Sequence, residues 1–124
     1  MVTTDIAQLS QECSAWLALL RNKRDELAEF KKKLQQLITT PVPKDDLPQV
    51  EHLENQFDIQ LTNINHLKHS IKEHEKHAEW EKAHHNGNIT DATWAVHEEL
   101  NGQVQSLEHT LDDLKDEFNR FIKK

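Results

Sequence analysis

The stretch TTPVPKDDLP, residues 39 to 48, decides how the rest of this chain is read. It holds all three prolines of the sequence. Each lacks a backbone donor and has a fixed φ, so one helix stops before the stretch and another starts at its end. A second break, HNGNIT at residues 85 to 90, contains one of only two glycines. Breakers cluster in these two places alone. They leave three segments, expected as helices over about 4–39, 47–85 and 91–123 of one 1–124 domain. At 1.5 Å per residue each would run roughly 50–60 Å.

The ends carry start and stop signals with a mechanism. Asp46 and Gln49 have capping-box spacing, and Pro48 falls in the first turn, where its missing N–H costs nothing. Gly87 suits the left-handed position that closes the second helix. Thr90 is the expected N-cap of the third, with Ile89 and Trp94 spaced as a hydrophobic staple.

Within each segment apolar residues repeat every 3.5 positions. The first helix places Ile6, Cys13, Leu20, Leu27 and Leu34 at a, and Leu9, Trp16, Lys23, Phe30 and Leu37 at d. The second has Val50, Phe57, Ile64, Ile71, Ala78 and His85 at a, with Leu53, Gln60, Leu67, His74 and Glu81 at d. The third has His97, Val104, Leu111 and Phe118 at a, with Thr93, Leu100, Leu107, Leu114 and Phe121 at d. Sustained heptads dictate left-handed coiled-coil packing, and short connections make neighbours antiparallel. The expected fold is all-α: an elongated antiparallel three-helix bundle, up-down-up. Placing the turns near residues 43 and 88 predicts the layers Cys13/His74/Val104, Trp16/Ile71/Leu107, Leu27/Gln60/Phe118 and Phe30/Phe57/Phe121. Lys23 and Gln60 read as polar residues that set register at some cost in stability, with Lys23 free to snorkel outward. In length and heptad pattern the chain resembles spectrin-type three-helix repeats. That likeness is one of architecture, and no function comes with it.

Composition excludes several classes. A formal net charge of -7 speaks against nucleic acid and anionic membrane surfaces, which need a surplus of Lys and Arg. No apolar run is long enough to span a bilayer, and the N-terminus does not read as a signal peptide. The single Cys13 rules out an internal disulfide. A reduced, cytoplasmic setting is therefore expected.

The segment HLKHSIKEHEKHAEWEKAHH, residues 66 to 85, carries six of the nine histidines. The heptad frame turns His66 and His69 outward, like His52 and His109, and puts His74, His85 and His97 on the seam. His74, Glu81 and His97 then form a polar, pH-sensitive layer, with Glu81 facing His97 and His74 beside Cys13. A seam histidine kept neutral is protonated first in the unfolded chain, so stability falls as pH drops through about 6.5. A sharper reading is a metal site. His77, Glu81 and His84 share a helix face, and His97 would complete a His₃Glu set suited to zinc or another divalent ion. Cys13 and His74 lie about a heptad away on the expected register, roughly 10 Å against ligand distances near 2 Å, so they are not expected on the same ion.

Nothing points to catalysis. Ser10, Ser14 and Cys13 sit within a heptad helix, with no nucleophile elbow and no glycine-rich phosphate loop. Ile59 and Trp80 fall on the outward stripe of the second helix, and tryptophan on a surface is typical of interaction hot spots. The expectation is a non-enzymatic interaction or scaffold protein, self-associating or bound to another protein and needing no cofactor. The alternative is a divalent-metal-binding bundle.

Overall fold

The computed structural model describes residues 4–123, and helices occupy nearly all of them. Helix α1 spans Thr4–Leu37, α2 spans Leu47–His84 and α3 spans Asp91–Ile122; a single 3-10 turn, Lys44–Asp46, leads into α2. α1 packs on α2 and α2 on α3, as the heptads predict. No helix among the described residues is long and apolar enough to cross a membrane.

Local chemistry sets the ends. Asp46 closes the 3-10 turn by donating its amide to the Pro43 carbonyl at 2.9 Å. Its backbone is therefore helical (φ −91°, ψ −15°), whereas a capping box needs an extended N-cap, so the expected box with Gln49 does not form. Pro48 does take the first turn of α2. At the other end the Gly87 amide reaches the Lys82 carbonyl at 2.9 Å, the six-to-one bond of a Schellman motif. Asn86 enters the left-handed region ahead of Gly87 (φ 55° and 84°), one residue earlier than expected. Asparagine is the non-glycine residue that tolerates this best. Thr90 caps α3 as predicted, its hydroxyl accepting from the Thr93 amide at 3.2 Å.

The seam residues form a continuous core from Ile6 to Leu34 in α1, from Val50 to Ala78 in α2, and from Leu100 to Phe118 in α3. Of the expected seam residues, Lys23, Leu107 and Phe121 are only partly buried, and two are exposed. Leu37 and His85 are exposed because α1 ends at one and α2 just before the other. Lys23 snorkels from its d position to Asp112 at 3.2 Å. Gln60 is buried and accepts a hydrogen bond from Asn63 at 3.2 Å.

The first hairpin has the predicted register: Cys13 lies by His74, and Phe30 by Phe57 with ring centroids 6.3 Å apart. The second does not. His97, rather than Val104, joins Cys13 and His74, a slip of one heptad. At the opposite end Phe118, rather than Phe121, completes the aromatic cluster, 5.1 Å from Phe30 and 5.4 Å from Phe57. The cause is the turn. The Glu81 side chain already bonds Thr90, so the chain reverses nearer His85 than Asn88.

This register orders two substitutions. Phe118 is fully buried and Phe121 only partly so. Phe118→Ala is expected to cost about 3–5 kcal/mol in urea unfolding, and Phe121→Ala less than half of that. Comparable losses would point to the register first expected, in which both residues fill core layers.

Candidate functional site

Three helices each send a side chain to one point at the imidazole-rich end of the bundle. Cys13 comes from α1, His74 from α2 and His97 from α3; all three are buried, and their Sγ and ring nitrogens lie within 4.8 Å of one another. His74 Nε2 is 3.0 Å from His97 Nδ1, and His97 Nε2 is 2.7 Å from Glu12 Oε1. A carboxylate oxygen only accepts, so His97 Nε2 carries the hydrogen. With Nε2 as the donor, the neutral tautomer of His97 presents Nδ1 as an acceptor for His74 Nε2–H. The result is a directed chain, His74 to His97 to Glu12, with Cys13 alongside.

Aromatic faces hold the middle of this chain still. The His97 ring packs against both Trp16 (centroids 4.6 Å, planes 30° apart) and Trp94 (5.1 Å, 25°). Trp94 is thus more than half of a staple: half-buried against the core, it fixes a polar ring. His97 is only 2% exposed, yet both of its nitrogens have partners, as a buried polar group requires.

Electrostatics follow from burial. Desolvation first, then His97 and His77, lower the His74 pKa from 6.5 to about 4; Glu81 pulls the other way without prevailing. Desolvation, with Glu75 and Glu12 nearby, pushes the Cys13 thiol up to about 12. Cys13 alone is therefore a poor nucleophile at neutral pH.

Glu81 does not face His97, as the earlier register required. It turns to the start of α3 instead. Its Oε1 accepts from the Thr90 amide at 3.1 Å and its Oε2 from the Thr90 hydroxyl at 2.9 Å. Burial alone would raise its pKa, but hydrogen bonds from Thr93 and Thr90, with His77 close by, more than offset this and lower it. The four residues His77, Glu81, His84 and His97 are not gathered into one set. His77 Nε2 does lie 3.3 Å from Glu81 Oε2. His84, however, is exposed and bonds the Trp80 carbonyl at 2.8 Å, while His97 is engaged with His74 and Glu12.

The outer histidines are where the heptads put them. His52, His66, His69 and His109 are all exposed, with His52 3.0 Å from Glu117 and His109 3.5 Å from Asp113. Ile59 and Trp80 are exposed on α2, Trp80 at 51%. Trp80 is not loose, because His84 stacks on it at 4.4 Å and His77 at 6.0 Å, with His85 at its edge. Sequence reasoning missed Glu12 and the stacking role of Trp94. Both depend on the depth at which α3 begins, which a periodic pattern does not encode. Between α2 and α3 a groove of about 520 Å³ is lined by His74, His77, Glu81, Thr93 and Val96, so that it touches the buried cluster at His74.

Comparison with protein-family models, with curated proteins and with solved structures finds no match.

The His74 shift fixes the sign of a pH effect in metal-free protein. Folded His74 takes up its proton only near pH 4, whereas in the unfolded chain it does so near 6.5. The unfolded state binds more protons between those values, so this contribution is complete above 6.5 and is lost as pH falls toward 4. It amounts to about 3 kcal/mol. The lowered Glu81 acts in the same direction in more acidic solution, its stabilisation being lost as pH falls below the ordinary carboxylate value. With chelator present, Tm should drop steadily from pH 7 to 4.5, and His74→Leu should flatten the slope. A parent profile that stays level to pH 5 would contradict the geometry.

Proposed function

We propose that this bundle is a non-enzymatic interaction module whose docking face is the outer side of α2 around Trp80. The observation that carries the reading is the state of that tryptophan. It is half-exposed, yet its ring is already held by His77 and His84. A pre-positioned aromatic loses little rotamer freedom on docking, so more of its burial appears as affinity. Ile59 continues the same stripe, about 30 Å further along α2 at 1.5 Å per residue, which suits an extended helical partner better than a compact one. Heptad-built bundles provide such faces readily, because inward residues hold the fold and leave the outer stripe free to vary. A reducing, cytoplasmic environment would keep Cys13 a thiol and fits this role.

The partner is a helix-bearing polypeptide, and a second copy of the chain is one form of it. Light scattering on the parent and on Trp80→Lys, followed by capture from native extract with each as bait, tests the reading. Trp80→Lys is expected to turn an associated parent into a monomer, or to lose a protein that the parent retains, with Tm changed by no more than about 2 °C, because the site is on the surface. Identical mass and identical captured proteins for the two baits would contradict it.

A further inference from the structure

We propose that Cys13, His74 and His97 form the ligand set for one borderline-soft divalent transition-metal ion of the zinc class, with Glu12 positioning His97 from behind. The set differs from the His77, Glu81, His84 and His97 group suggested by helix-face spacing, and it exists only because α3 starts a heptad deeper than the residue numbers imply.

The geometry is close to what such an ion needs. A tetrahedral zinc with bonds near 2.0–2.1 Å to nitrogen and 2.3 Å to sulfur separates two imidazole nitrogens by about 3.3 Å, and sulfur from nitrogen by about 3.6 Å. His74 Nε2 and His97 Nδ1 already face each other at 3.0 Å, and no donor pair exceeds 4.8 Å. Loading therefore asks for a slight parting of the rings and an inward move of Sγ by about 1 Å, and no change of helix register.

The ion would take the place of the hydrogen now between the two rings. His74 would shift that hydrogen from Nε2 to Nδ1, with no net loss. Cys13 would give its thiol proton to water and bind as thiolate. One thiolate and two neutral imidazoles leave a single positive charge on a divalent ion, and the Glu12 carboxylate would balance it. His97 Nε2–H to Glu12 at 2.7 Å is the carboxylate–histidine–metal arrangement that orients a ligating ring and raises its basicity. Trp16 and Trp94 pack against the same ring, with centroids 4.6 and 5.1 Å away, and so restrict its rotation before any ion arrives. A sulfur and two imidazole nitrogens discriminate against magnesium and calcium, which require oxygen. Of the three ligands, His74 lines the groove between α2 and α3, the side from which an ion would approach.

Cobalt(II) is the probe, added to chelator-stripped protein and followed by absorption. Expected are visible bands of a four-coordinate ion and a near-ultraviolet thiolate-to-cobalt band, saturating at one equivalent and bleached by zinc. Cys13→Ala should abolish the near-ultraviolet band and Cys13→Ser should do the same, with far-ultraviolet circular dichroism reporting that at least one of them folds. Glu12→Gln should keep the band and weaken affinity about 10- to 100-fold. The double variant His77→Ala/His84→Ala should titrate like the parent. The proposal is overturned by the lack of a saturable band at one equivalent, by a near-ultraviolet band that survives in a folded Cys13 variant, or by loss of binding in the His77/His84 variant.

Discussion

The buried carboxylate of Glu81 is the constraint on which the rest of the molecule depends. An uncompensated charge in that position would cost several kcal/mol, so it must be met by donors. The donors are the amide and hydroxyl of Thr90, the residue that caps α3. Satisfying the carboxylate therefore pins the N-cap of the third helix against the last turns of the second. A slip of one heptad would move α3 by about 10 Å along its neighbour and separate these groups. Register in the second hairpin is chosen by polar chemistry, while the apolar seam supplies most of the cohesion.

That choice has consequences two turns away. With Thr90 fixed, His97 arrives beside His74 and Cys13, its outer nitrogen meets Glu12, and its ring packs against Trp16 and Trp94. The bundle is consequently polarised. One end is filled by Phe30, Phe57 and Phe118, whose packing is dispersive and insensitive to pH. The other holds imidazoles, a thiol and carboxylates whose protonation states depend on one another. Apolar core residues such as Leu9, Ile71, Ala78 and Leu100 continue through this second end, so the ionisable groups sit within a packed seam rather than in place of one.

Inward and outward faces were legible in the sequence, and depth along the axis was not. The heptad frame placed Cys13, His74 and His97 on the seam and His66, His69 and Trp80 outside it, and each is so disposed. A seven-residue repeat is unchanged by a seven-residue slip, so the same pattern fits Val104 or His97 beside His74 equally well. Only the turn could break that tie. Its geometry rests on Asn86 entering the left-handed region before Gly87, and on Glu81 reaching across to Thr90. Neither is periodic. Glu12 was hidden for a related reason: a glutamate beside the seam of a charged helix is indistinguishable from solvated surface until its partner ring is located.

Proton-detected NOE spectroscopy on the imidazole and indole rings tests the central claim most directly, because it reads which residues share a layer without perturbing any of them. Strong cross-peaks are expected from the His97 ring to the rings of Trp16, Trp94 and His74. Cross-peaks from the His74 ring to the Val104 methyls, with none to His97, would contradict it.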